Sequence, residues 1–174
     1  IQNELFALRS QPISKSREVQ LELVYQRAAE LAESAKQEAW PLHLQGLAAS
    51  MLGRLRIAEE LFRRVTEMRP DALDGWLGLT AALARLGRLD DAESAARRGV
   101  EVSQADPRAC GNLALALLQN GKPAESLAIA TRALELDPSD DMNQSLVQQI
   151  RDAVAADQPD VEDARPWYKR WFPG

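Results

Sequence analysis

Gly53, Gly87 and Gly121 stand 34 residues apart, and the chain around them repeats at the same interval. Ala58, Ala92 and Ser126 follow these glycines at one common offset. Pro70 and Pro138 each lie seventeen residues beyond their glycine. A glycine between two stretches of helical periodicity marks a turn, so each period holds two helices. A two-helix unit of this length cannot bury its own apolar face and must stack on neighbours. The period therefore predicts a surface where an enzyme would need a pocket.

The first unit spans about Ala39 to Ala72. Its first helix presents Leu42, Leu44, Leu47, Ala48 and Met51 before Gly53, and its second presents Ile57, Ala58, Leu61, Phe62 and Val65 after it. The next unit spans Leu73 to Asp106, with Trp76, Leu79, Ala82 and Leu83 before Gly87 and Ala92, Ala95 and Ala96 after it. Gln104 stands where the neighbouring units place their closing proline, and Asp106-Pro107 follows late. Asp106 as N-cap with Pro107 at the first helical position is a strong start signal. The late proline predicts a longer second helix in this unit and a tighter connection after it. The third unit runs from Pro107 to Asp140 and closes at Asp137-Pro138.

Helices flank the repeats. Residues 1–11 form a short helix or an irregular arm ended by Pro12. Ser14 or Ser16 caps a long helix to about Gln37 with Leu21, Val24, Ala28, Leu31 and Ala35 as its stripe. Val24, Ala28 and Leu31 lie one period before Ala58, Phe62 and Val65. Residues 1–38 thus read as an arm and the second half of a degenerate leading repeat, or as a free amphipathic helix. Residues 141–157 read as a capping helix, apolar along Met142, Leu146, Val147, Ile150 and Val154. Residues 158–174 are an acidic linker followed by a basic, aromatic tail.

Composition narrows the function. Aromatics make up 5% of 174 residues, and alanine and leucine dominate, which suits helix packing over sheets. A net charge of −5 argues against general nucleic-acid binding. One cysteine, Cys110, excludes an intrachain disulfide framework and a cysteine-rich metal site. The single histidine, His43, has no partner at metal-ligand spacing, and neither HExxH nor a glycine-rich loop after a strand is present. Cys110 reads as a packed, inert thiol. Glu59-Glu60 and Asp90-Asp91 sit near helix starts, where the dipole favours them without a catalytic role. No cofactor and no metal are expected.

The 34-residue pattern resembles the tetratricopeptide repeat family. Its residues are Trp76, Leu79, Leu83, Gly87, Ala92, Ala96 and Gly99 in the middle unit. They are Gly46, Gly53, Ala58, Phe62 and Pro70 in the first, and Leu113, Ala114, Leu117, Gly121, Ala130, Ala133 and Pro138 in the third. Thr80 and Ala114 replace the small glycine that Gly46 supplies. The resemblance implies an all-α, right-handed superhelical solenoid of antiparallel helix pairs. It also implies a concave groove lined by the first helix of each pair, which binds a peptide, helix or partner domain. By position the groove displays Trp40, His43, Leu44, Leu47, Ser50 and Met51, then Leu77, Ala81, Ala84 and Arg85. Arg108, Asn112, Leu115, Leu118 and Gln119 complete it. Asn112 is the best polar anchor, and Arg85 and Arg108 suit a carboxylate. One subclass grips a chaperone's C-terminal carboxylate with groove lysines and asparagines. His43, Leu77 and Gly111 stand at those positions, so recognition here rests on shape and apolar contact.

The tail is a separate signal. Trp167, Tyr168, Trp171 and Phe172 crowd beside Lys169 and Arg170, and such clusters mark contact surfaces. Folding back on the terminal helices, docking in another molecule's groove, and resting at a membrane interface all fit. The leading functional reading is a non-catalytic interaction module or assembly scaffold with a protein or peptide partner. The alternatives are self-association through the leading helix and the tail, giving a homo-oligomer, or a regulatory domain of a larger enzyme complex. The alanine- and arginine-rich composition points to a GC-rich bacterial genome. No signal peptide and no spanning apolar run are visible. The chain starts at Ile1, which leaves open an upstream signal or anchor, and with it cytoplasm, periplasm or the membrane.

Overall fold

The computed structural model describes residues 1–157, which form helices and connecting turns. The helices are α1 (Gln2–Arg9), α2 (Lys15–Ser34), α3 (Ala39–Met51), α4 (Leu55–Met68) and α5 (Leu73–Arg85). They continue as α6 (Leu89–Val102), α7 (Pro107–Gln119), α8 (Pro123–Leu136) and α9 (Asp141–Asp157). Each helix packs on the next, and α3, α5, α7 and α9 also pack side by side. The result is an all-α, right-handed superhelical solenoid of antiparallel pairs.

The period sets the element boundaries. First helices begin at residues 39, 73, 107 and 141, and second helices end at 34, 68, 102 and 136. The turns inside the three repeat pairs each close with a glycine at positive φ, 76° at Gly53 and Gly87 and 71° at Gly121. There the N–H groups of Arg54, Arg88 and Lys122 reach back to the carbonyls of Ala49, Leu83 and Leu117 at 2.9–3.0 Å. That bond satisfies an orphan carbonyl at the helix end and requires the left-handed residue before it.

Two sequence expectations about helix ends are corrected. The long helix stops at Ser34 instead of about Gln37, although Ser14 does cap it, accepting from the Arg17 N–H at 3.2 Å. Residues 35–38 are needed as the connector that every later joint also has, and this outweighs the helix propensity of Lys-Gln-Glu. The second helix of the middle unit is not longer: α4, α6 and α8 each have 14 residues. The connection after α6 is no tighter either. Gln104 and Ala105 turn the chain at φ 54° and 68°, and Ala105 N–H bonds the Val100 carbonyl at 3.1 Å. Those two left-handed residues redirect the chain where a proline does so elsewhere, at roughly 1–2 kcal/mol of local strain each. Asp106 then caps α7, accepting from the Arg108 N–H at 2.8 Å.

The leading segment is part of the stack and not a free helix. Leu5 and Leu8 of α1 are buried with Leu21, Val24 and Ala28 of α2 and Leu44 and Ala48 of α3. The outer side of this shortened pair exposes Phe6, Val19 and Leu23. Between α3 and α6 the core is continuous through Leu42, Ala58, Phe62, Leu79, Leu83 and Ala92. Its largest fully buried side chain is Phe62.

A charge clamp joins the second helices on the other side of the stack. The residue after each turn glycine is basic, and it reaches back to the preceding second helix. Arg54 pairs with Glu22 at 2.6 Å and lies over the Tyr25 ring, and Arg88 pairs with Glu59 at 2.6 Å. Lys122 pairs with Glu93 at 2.7 Å. Glu93 also accepts from Asn120 at 2.7 Å and from Arg97 at 2.9 Å. Donation from Lys122, then from Asn120, with Arg97 adding to it, lowers the Glu93 carboxyl from 4.5 to about 2. Its folded pKa lies below its unfolded one, so its stabilisation is complete above about pH 4.5 and fades as pH falls toward about 2. The Lys122 side is solvent-screened, which limits the effect. Glu93→Gln is expected to cost about 1–2 kcal/mol at neutral pH. In urea titrations its gap from the wild type should close between about pH 4.5 and 2. A gap independent of pH would contradict the clamp.

Candidate functional site: the face of the first helices

The face formed by α3, α5, α7 and α9 is built by the same period as the fold. Residues one period apart stand in rows across it: Trp40, Asp74, Arg108 and Met142; His43, Leu77, Gly111 and Ser145; Leu47, Ala81, Leu115 and Gln149. Trp40 is 49% exposed and Leu115 40%. Leu47, Met51, Leu77, Ala84 and Leu118 are half-buried, and Ala81 is exposed. An apolar track thus crosses the face from α3 to α7. Its close-packed floor comes from small residues: Gly46 and Gly78 admit the Phe62 ring, and Gly75 admits Val65.

The polar groups around this track are already engaged. Arg85 donates from one nitrogen to the Ser50 carbonyl and hydroxyl, both at 2.8 Å. Arg108 pairs with Asp106 at 3.1 Å and with Asp74 at 3.8 Å. The Asn112 amide donates to the Leu77 carbonyl at 3.4 Å, a long bond tying α7 to α5. Gln119 is exposed at the far edge. His43 packs edge-on to Phe62, ring centroids 5.6 Å apart, and burial pushes its imidazole pKa down while Asp74 works the other way. The face is therefore apolar and close to neutral, and its arginines stitch neighbouring units together.

One expected groove residue is misplaced. Leu44 is only 6% exposed and belongs to the core shared with α1 and α2. It cannot meet a partner there, because the leading pair covers it. Two features were missed. Asp74 is an exposed carboxylate in the Trp40 row, and the period alone would have placed it. Asn143 of α9 presses on Gly111, where an added Cβ would lie 2.4 Å from its Oδ1. The tail residues Trp167, Tyr168, Trp171 and Phe172 lie outside the described residues.

A cleft of about 600 Å³ is an open seam among α2, α3 and α4, lined by Glu30, Glu33, Lys36, Glu38 and Arg64. Among the described residues no cluster of three or more His, Cys, Asp or Glu is arranged to hold a metal ion. Cys110 is buried, and burial raises its thiol pKa. Arg63 and Arg97 pair with Glu59 and with Glu93 and Glu125, and Arg98 pairs with Glu101, so these three arginines are engaged among the second helices. No described helix is long and apolar enough to cross a membrane.

A family model for the tetratricopeptide repeat matches residues 43–109 and again 82–141. The chain is 26% identical over 157 residues to mouse tetratricopeptide repeat protein 5. That alignment covers 88% of this chain but 32% of the relative, so the chain spans about a third of the relative's length. Among solved structures it is similar to a thermophilic TPR protein of Thermus thermophilus, at TM-score 0.67 and 20% identity. That match covers 87% of this chain and 80% of the other. It is also similar to the first TPR of Spaghetti (RPAP3) bound to the HSP90 peptide SRMEEVD, at TM-score 0.63 and 22% identity. Here 68% of this chain and 94% of the other are covered.

Proposed function

Because this chain belongs to the tetratricopeptide repeat family, we propose that it is a non-catalytic interaction module that takes a peptide or helix on the face of its first helices. The observation that carries this reading is the apolar track from Trp40 through Leu47, Leu77 and Ala81 to Leu115, left open to solvent at both ends. An aromatic anchor beside aliphatic neighbours is the composition of a binding hot spot. Arg85, Arg108 and Asn112 hold the units at their working spacing and leave Asp74 and Gln119 as the polar edges of the track.

The RPAP3 relative binds an HSP90 peptide with adjacent acidic residues. The present face offers such a peptide little, since the arginines beside the track are already committed to Ser50, Asp106 and Asp74. A partner whose apolar side chains fit between Trp40 and Leu115 is the better match. Trp40→Glu and Leu115→Glu are each expected to reduce recovery of the bound protein from native extract by roughly tenfold or more, the size of a hot-spot loss. Glu60→Lys, on the second helix α4, should leave recovery unchanged. Arg85→Ala should act mainly through stability. Unaltered recovery with both folded groove variants would remove the assignment.

A further inference from the structure

The joints of the stack are not filled equally. Between the first and second full units, the Trp76 indole of α5 lies against the connector and donates to the Pro70 carbonyl at 2.9 Å. The Arg98 guanidinium covers the ring, 5.9 Å from its centroid. One period earlier Lys36 stands for Pro70 and Arg64 for Arg98, but Leu42 stands for Trp76. That joint keeps the frame and lacks the indole. Here lies the cleft of about 600 Å³ among α2, α3 and α4, within the range of about 300–1,000 Å³ typical of ligand sites. Its wall on α2 is cut back further, because Ala29 and Ala32 stand where α4 carries Arg63 and Thr66.

The cleft also holds a polar group that packing does not explain. Gln45 stands where α5 and α7 carry the core residues Leu79 and Leu113. It is 9% exposed, lines the cleft, and has no hydrogen-bond partner among the described residues. A buried amide is costly unless its donor and acceptor are met, and this one opens onto the cleft. Around the mouth Glu30, Glu33 and Glu38 outnumber Lys36 and Arg64. Such an excess of carboxylates repels phosphates and favours a cation. By helical phase Leu42 and Gln45 stand on the side of α3 opposite Trp40 and Leu47, so the cleft is separate from the apolar track.

We propose that this cleft is a second binding site, which takes a tryptophan side chain from a basic segment of a partner protein. The indole occupies the place that Trp76 fills at the next joint, against Leu42 and Leu61. Its N–H donates to the Gln45 amide oxygen, and the Arg64 guanidinium covers its face as Arg98 covers Trp76. Lysines or arginines beside it meet Glu30 and Glu33 at the mouth. The two sites lie on opposite sides of α3, so both can be filled at once.

The test titrates the isotope-labelled full chain with the peptide acetyl-Lys-Trp-Lys-amide. Saturable amide shifts should centre on Ala32, Lys36, Gln45 and Arg64. The affinity should be at least tenfold above that of acetyl-Lys-Leu-Lys-amide and of acetyl-Glu-Trp-Glu-amide. Gln45→Leu, which restores the residue of the other units, should weaken binding about tenfold, the loss of one hydrogen bond in a closed site. Leu42→Trp fills the cleft from within and should abolish binding. Glu33→Lys, at an exposed position, should narrow the preference between the two tryptophan peptides. Trp40→Glu should leave binding unchanged, so this site and the track can fail independently. No saturable shift, shifts centred on Trp40 and Leu115, or equal affinity for the leucine peptide overturns the proposal. So does unchanged binding in Gln45→Leu. Cleft shifts with adenosine and none with the peptide overturn it as well, assigning the cleft to a nucleoside.

Discussion

Phe62→Ala is expected to lower the unfolding free energy by about 3–5 kcal/mol, the range for truncating a buried aromatic ring. Phe62 is 1% exposed and fills the joint between two units. Its ring lies against Gly46 of α3 and Gly78 of α5, with the His43 imidazole on its edge. Truncation therefore removes transfer energy and leaves a cavity that two separate helix pairs would have to close. In a stacked array stability is a sum of terms within units and terms between them. The loss falls largely on the interface term, and such domains have only about 5–15 kcal/mol in all. Urea unfolding followed by circular dichroism should show the large drop in midpoint. It should also show a broader transition, because α1–α4 uncouple from the units that follow. A loss below about 1 kcal/mol would mean that the ring does not hold the joint.

Gly78→Ala should cost about 1–3 kcal/mol by overpacking, although alanine is the better helix former by about 1 kcal/mol. A Cβ at this position would stand 2.4 Å from the Phe62 ring, and the ring has no free space to move into. The contact makes a sharper prediction possible. In the Phe62→Ala background the obstacle is gone and the propensity term remains, so Gly78→Ala should become neutral or stabilising by up to about 1 kcal/mol. The double-mutant cycle should then give a coupling of about 2 kcal/mol or more between these residues. Additivity within about 0.5 kcal/mol would show that the close approach carries no strain.

These two residues also show where sequence reading reached its limit. Gly46 and Phe62 were recognisable as motif residues because their positions recur with the period. Gly78 was not, since nothing local distinguishes a helical glycine that admits a ring from another unit. Leu44 went astray for a related reason. Its helical phase allows it to face either the groove or the preceding pair, and the presence of α1 and α2 decides which. Arg85 was assigned to a partner's carboxylate because its acceptor lies elsewhere in the structure, whereas Asp106, an acceptor of Arg108, stands two residues away in sequence. Ser50 is 35 residues from Arg85 in sequence. The length of α6 was misread because a proline three residues late looked like a longer helix. Two left-handed residues, Gln104 and Ala105, absorbed the difference instead.

The sequence by itself determined the all-α class, the 34-residue register, the turn glycines and the start of α7 at Asp106-Pro107. Each of these is written in local signals: helical periodicity, a residue that tolerates positive φ, a side chain that caps. Tertiary structure alone decided which apolar residues stay open to solvent and which charges remain uncommitted. It buried Leu44 under the leading pair, tied Arg85 and Arg108 into the stack, and left Trp40 and Leu115 exposed. Exposure and interhelical pairing depend on neighbours in other helices, and a repeat specifies that such a neighbour exists without specifying which side chain it presents.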